Sequence, residues 1–435
     1  MKTYHIESLG CAKNQVDSER FVAIMESYGM EEVIDLLKAD LYLVNTCAFL
    51  RSALTEMDKT LDILIDLVDL RKAKLVVTGC VTTRALEEYQ KLFPEVDAWI
   101  MLKDFGGFEQ YLKRHVLPPA IKPEPLPESG RVKLEETQHV YLRISDGCEN
   151  NCSYCMIPSI RGKLVSEPIE KLVAEAEAMW DNSEELVLIA QDSCMYGVDI
   201  YGEKALPKLI KALCELKLYK WIRVMYMHPD HFELDWLELW KEHPELLPYF
   251  EIPIQHVSPR VIKSMNRQKS YEELKALFTS IKAAIPEAVF RTTIMVGYPN
   301  ETQTDLDLLD KFLEEIDILH VGVFGYSPEK ESRDDELETE HPRYAYVKRL
   351  ELKYAKRLAK IKEKKMQRFV GTIQPSLVEQ YDLETNSFIA RTWFQAPEID
   401  GILHLENEPK EDEPFVNVEI TDALADELTG IIIYD

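Results

Sequence analysis

The sequence predicts an α/β protein in three parts: an N-terminal doubly wound parallel sheet, a central part-barrel of six βα units and a small C-terminal all-β barrel. Three observations carry this. Short β-rich apolar runs alternate with helical patterns over residues 1–115 and again over 138–368, a proline-rich segment separates the two stretches, and turn-bounded strand candidates fill 369–435. Strand and helix alternating at this spacing imply parallel sheets.

In the first part TYHIESL, ADLYLVNT and AKLVVTG read as strands, and Val16, Phe21, Ile24, Met25 and Tyr28 mark a helix between them. Each strand candidate runs into a cysteine: Cys11, Cys47 and Cys80. The carboxyl ends of parallel strands form one edge, where ligands bind, so cysteines far apart in the chain can converge there. Three unrelated buried thiols are the structural alternative. The segment VLPPAIKPEPLPESGRVKL dominates an extended, semi-rigid linker over 116–137.

HVYLRIS, ELVLIAQ, WIRVMYM, YFEIPIQ, AVFRTTIMVG and HVGVFGYS supply six parallel strands for a part-barrel with its site at the strand carboxyl ends. GTIQPSLVEQ, SFIARTWF, GILHLE, PFVNVEI and TGIIIYD suit a five-stranded barrel, a module that commonly recognises partners.

The formal net charge of −26 argues against a broad basic surface, so direct nucleic-acid binding is not expected and a basic partner is. Residues 369–435 hold fifteen acidic against two basic side chains; residues 341–368 hold eleven basic against two acidic ones. A solvated helix face is the plain account of the basic run. With no apolar stretch of about 18 residues and no signal-peptide core at the start, no membrane association and a cytoplasmic location are expected. Eight cysteines in 435 residues are too sparse for a disulfide framework and direct attention to metal binding.

Cys148, Cys152 and Cys155 follow the first barrel strand at C-x3-C-x2-C spacing. Structural zinc wants a fourth ligand, yet the next cysteine is Cys194 and no histidine is close. Three thiolates suit an iron-sulfur cubane, in which each iron takes one protein thiolate and one iron is left to bind a small molecule.

This spacing at the start of a barrel resembles the radical S-adenosylmethionine (SAM) superfamily. SLGCAKNQVDSE, DGCENNCSYCMIPSIRGK, LIAQDSCMYGVD, IPIQHVSPRVIKSMNR and VGVFGYSPE together resemble its methylthiotransferases, over nearly the whole chain. The resemblance implies two 4Fe-4S clusters: Cys148, Cys152 and Cys155 hold the one that binds SAM, and Cys11, Cys47 and Cys80 hold an auxiliary one where sulfur is methylated. It also implies that SAM serves both as methyl donor and as radical source, with an electron donor as partner and with a sulfur source either outside the chain or in a cluster. SLGCAKN, LIAQD and RTWFQAPEIDG resemble the RimO type, which modifies the β-carbon of an aspartate in a basic small-subunit ribosomal protein, free or on the ribosome; the alternative is adenosine in transfer RNA. The acidic C-terminal barrel, TRAM-like by this resemblance, favours the protein substrate.

Around the clusters Gln191 and Gln255 end their strands at the barrel mouth, where they either contact SAM or substrate or serve the strand end. Gly297 admits close approach of backbone to SAM or simply makes a turn. Tyr154 sets its backbone against adenine or packs its ring. No residue is assigned as catalytic. Asn300 stands where the family usually has Gly, which requires Asn in a left-handed conformation. Cys194 and Cys214 read as packed thiols, and His228 and His256 are left unassigned.

Overall fold

The computed structural model describes residues 2–329, 332–334, 341–383, 385–410 and 413–434. Four of the acidic residues counted in the C-terminal part, at 384, 411, 412 and 435, lie outside them. Among the described residues no helix is long and apolar enough to cross a membrane.

The N-terminal sheet is parallel throughout, with Leu41–Thr46 at its centre between Thr3–Ser8 and Lys74–Gly79. Two strands of only two residues, Glu31–Glu32 and Ala98–Trp99, extend its edges; they are too short to carry a period in the sequence. Tyr42, Val44, Leu75 and Val77 pack with Met57 and Leu61 of the helix Arg51–Arg71. Their neighbours Leu41, Leu43 and Val76 pack on the other face with Phe21 and Met25 of the helix Ala12–Ser27. Alternate residues entering two separate cores is what a sheet covered by helices on both faces requires.

The six expected barrel strands form as His139–Arg143, Glu185–Ile189, Trp221–Val224, Tyr249–Glu251, Val289–Val296 and His320–Gly325. They make two three-stranded parallel sheets joined by an Ile222–Leu246 bridge, which gives an open part-barrel. Val140, Leu142, Leu186 and Leu188 face the outer helices, packing with Leu209, Phe278 and Phe312. Tyr141, Val187, Met225 and Tyr249 face inward.

The C-terminal strands Ile373–Asp382, Ser387–Thr392, Ile402–Leu405, Phe415–Ala423 and Glu427–Ile432 close into a barrel. Its core is continuous with the lumen of the part-barrel: Phe394, Leu403 and Val418 belong to the same apolar cluster as Tyr141 and Tyr249. The loop at 393–401 seals the amino ends of the part-barrel strands. Arg223 donates to the carbonyls of Trp393 (3.0 Å) and Gln395 (3.2 Å), and His320 bonds to that of Phe394 (2.7 Å). Asp400, fully buried, accepts from Tyr249 and Arg291.

The linker has no helix or strand over 116–137, but it is fastened at one point. Arg131, fully buried, donates to Glu175 at 2.7 Å, pairs with Glu19 of the N-terminal helix and reaches the carbonyl of Tyr141. The ion pair ties the linker to both larger parts of the molecule.

Candidate active site

Where the carboxyl edge of the N-terminal sheet faces the mouth of the part-barrel lies a cavity of about 430 Å³. Cys11, Cys47 and Cys80 line one side of it; Cys148, Cys152 and Cys155 line the other. Local geometry explains how the chain delivers them. Cys47 directly follows the strand Leu41–Thr46, and Cys11 and Cys80 stand immediately before the helices Ala12–Ser27 and Val81–Arg84. Gly10 has φ +100°, and a Cβ there would lie 2.5 Å from the Cβ of Cys47. Gly147 has φ +73°, and a Cβ there would lie 2.0 Å from the Lys163 carbonyl oxygen. Only glycine meets both demands. The Gly-Cys pair was a signal in the sequence that strand periodicity does not use.

The thiols interact with one another. Burial, followed by the Cys80 and Cys11 charges, pushes Cys47 up to about 11. Burial and then the Cys152 and Cys148 charges push Cys155 up to about 12, and burial with Asp192 and Cys152 pushes Cys148 up to about 11. Cys11 goes the other way: burial acts to raise it, but Lys13, Arg161 and the backbone amides of Asn14 and Lys13 bring it below its ordinary value. Thiols that oppose one another's ionisation around a shared space suit a cationic iron centre, which holds its thiols deprotonated. The donor set therefore fits iron-sulfur clusters, three thiols to each.

Several side chains that sequence reasoning missed complete the site. Arg161, buried at the end of the helix Ile157–Arg161, donates to Asn14 Oδ1 at 2.6 Å and pairs with Asp17 (3.3 Å) and Asp146 (3.2 Å). Its Nη2 lies 3.8 Å from Cys80 Sγ. Lys13 places its ammonium 3.3 Å from the centre of the Tyr226 ring, and burial pulls its pKa down while Cys11 and Glu251 oppose the shift. Glu251 accepts the Tyr226 amide at 2.9 Å; burial raises it, with Arg291 and Lys13 opposing. The signals for Lys13 and Arg161 were their places inside the SLGCAKN and SIRGK motifs.

Tyr154, Gln191 and Gln255 also line the cavity. Gln191 Nε2 donates to Asp146 Oδ1 at 2.8 Å, while its Oε1 is buried without a hydrogen-bond partner among the described residues. Gln255 holds φ +63°, with its amide on the Thr293 carbonyl (2.8 Å) and its carbonyl taking the Met295 amide (2.7 Å). The Tyr154 ring packs against an apolar cluster that includes Val261 and Met265. Gly297 is not among the lining residues; a Cβ there would meet Val347 Cγ2 at 2.9 Å. At the rim Asn150 donates to Asp192 Oδ2 (2.7 Å), which is also bonded to His231 Nδ1 (2.6 Å), and His228 stacks on His231. His256 is buried, Cys194 and Cys214 pack in the outer core, and Asn300 has φ +62° as its left-handed reading requires.

Three family models match the chain: the uncharacterized protein family UPF0004 over residues 3–101, the radical SAM superfamily over 142–313 and a TRAM domain over 370–433. The ribosomal protein uS12 methylthiotransferase RimO of a Thermotoga species is 38% identical over 93% of this chain and 94% of its own. That of Clostridioides difficile is 34% identical over 99% of this chain and 98% of its own. The chain belongs to the RimO family. Like other members it is a radical SAM methylthiotransferase, a class that works with a 4Fe-4S cluster and SAM. Among solved structures, the radical SAM methyltransferase TsrM of Kitasatospora setae, with cobalamin and a 4Fe-4S cluster bound, matches over 74% of this RimO-family chain and 72% of its own. The TM-score is 0.55 at 11% identity, a likeness of fold. The cobalamin-dependent radical enzyme OxsB matches over 77% of this chain and 55% of its own, with a TM-score of 0.53 at 12% identity.

Proposed function

We propose that this RimO-family enzyme adds a methylthio group to the β-carbon of an aspartate in ribosomal protein uS12, with two 4Fe-4S clusters in one cavity. The observation that carries the reading is the meeting of two cysteine trios, from separate parts of the fold, on opposite sides of that cavity. Cys148, Cys152 and Cys155 hold the cluster that binds SAM; Cys11, Cys47 and Cys80 hold the auxiliary one. Together with SAM these groups supply a carbon-centred radical and a methylated sulfur.

The protein's own side chains do the rest. Arg161, fixed by Asp17 and Asp146, keeps a permanent positive charge beside the auxiliary trio and holds the two sides in register. Lys13, on the same side as Cys11, offers a second cation whose charge is matched by Glu251. Gln191 and Gln255 present polar groups to SAM, and Tyr154, between two ligands, offers its backbone to the adenine while its ring packs away from it. Gly297, packed on Val347, keeps the end of the strand Val289–Val296 close to the helix Tyr344–Met366 rather than touching SAM itself. The net charge of −26 speeds encounter with a basic protein substrate.

Mass spectrometry of uS12 after incubation with the anaerobically reconstituted enzyme, SAM, a reductant and sulfide tests the reading. A methylthio gain on one aspartate, absent with Cys11→Ala and with Cys148→Ala, is expected. Methylthio-adenosine in digested transfer RNA, with uS12 unchanged, would overturn it.

A further inference from the structure

The helix Tyr344–Met366 closes the part-barrel and runs down its outer wall. Its buried face, with Val347, Leu350, Tyr354 and Leu358, lies on the barrel; the opposite side is exposed. Arg349, Lys353, Lys356, Lys360 and Lys364 are all exposed and follow one another at intervals of four, three, four and four. At 3.6 residues per turn these positions fall within an arc of about 80° and span about 22 Å of helix axis. They form one straight stripe.

No ion pair among the described residues engages it. The other cations of this helix are occupied: Lys348 pairs with Glu351, Arg357 with Asp310 and Glu314, Lys362 with Asp426 and Lys365 with Asp317. None of the five stripe residues has an ion-pair partner among the described residues. The helix carries two carboxylates: Glu351 is paired, and exposed Glu363, three residues after Lys360, borders the stripe at its lower end without an ion pair among the described residues. In a chain of net charge −26, five cations aligned on one exposed face with no ion pair among the described residues are the reverse of its general character.

The stripe also has a direction. Val347, at its upper end, abuts Gly297 and Gly325 at the carboxyl ends of the last two barrel strands, next to the mouth. Met366, at the lower end, packs into the core shared with the C-terminal barrel. Exposed Tyr346 continues the same face one turn above Arg349, toward the mouth.

We infer that this face binds the phosphodiester backbone of RNA, leading along the barrel wall to the mouth. A linear array of lysines and one arginine fits a strand of phosphates, in which each cation contributes by releasing a counterion. The inference rests on the reading of a ribosomal-protein substrate and deepens it: the enzyme engages its substrate while that protein is associated with RNA. The chain's net charge of −26 disfavours RNA over the rest of the surface.

Fluorescence anisotropy of a labelled RNA duplex of about 20 base pairs, titrated with the cluster-loaded full chain from about 0.05 to 0.3 M salt, tests it. The wild-type protein is expected to bind with a log–log salt slope of about −0.7 to −0.9 per phosphate contacted. A Lys353→Gln, Lys356→Gln, Lys360→Gln triple variant should bind about tenfold more weakly at 0.1 M salt and lose about 2 to 3 from that slope. Lys356→Gln alone, a mild change on an exposed helix, should lose about 1. No binding by the wild type at low salt, an unchanged slope in both variants, or equal binding to anionic lipid vesicles with the same losses would each overturn the inference. Methylthiolation of uS12 within assembled small ribosomal subunits is read separately: its absence with RNA binding intact would reject the substrate reading and leave the surface standing.

Discussion

Asn300 is a residue whose conformation follows from its type. Its φ of +62° is tolerated by Asn and Gly, so Asn300→Gly should leave the urea midpoint of unfolding within error, whereas Asn300→Val should cost about 1–2 kcal/mol. The meeting of the six cavity cysteines was legible for the same kind of reason: each occupies a place that strand ends and short spacing define locally. Arg161 was not. Its partners Asn14 and Asp17 lie on another part of the chain, and only folding brings them together. Replacing Arg161 by Met strands parts of two buried carboxylates, so we expect a loss of about 3 kcal/mol or more in unfolding free energy, together with a lower iron content per chain after reconstitution.

At the scale of elements, the closing helix and the sealing loop set the shape of the part-barrel. Gly297→Ala would drive a methyl group into Val347 and hold it at φ +75°, with an expected cost of about 1–3 kcal/mol. Adding Val347→Ala should recover the steric share and leave the conformational one, a non-additivity that a double-mutant cycle in urea would measure. The sealing loop brings a pH dependence. Burial, with Lys362 and Arg291 adding and Asp400 opposing, holds His320 down to about 4 from 6.5. Below pH 6.5 the unfolded chain takes up a proton that the folded one refuses. The stability this histidine gives is therefore complete above that pH and falls as the pH drops toward about 4. His320→Gln should flatten the denaturant midpoint against pH in that window by up to one proton's worth of slope. The strands on either side of this junction were legible from their alternation. The loop was not, because RTWFQAPEID carries no period and its partners Arg223, Tyr249, Arg291 and His320 come from four different strands.

At the scale of the whole molecule, the sequence suggested three successive parts joined by a proline-rich linker and a basic helix, and the order of elements agrees. Composition did not reveal that the parts are interlocked. One apolar cluster runs from Val16 of the N-terminal helix through the part-barrel lumen to Ile432 of the last strand, and Arg131 fastens what its prolines suggested was a spacer. Ending the chain at residue 368 would strip the lumen of Phe394, Leu403 and Val418. We expect this truncation to be insoluble or to unfold many degrees below the full chain in a thermal scan, rather than to give a stable enzyme that has only lost substrate recognition.

The divided cavity also bears on how the protein is made. Cys11, Cys47 and Cys80 leave the ribosome well before the chain that forms the opposite wall has been synthesised. Until then the first trio lacks the other wall of its cavity. Asp17 likewise meets its partner Arg161 only once the chain has been made that far. A cavity lined by both trios therefore exists only once residues from both walls have been made and have folded together.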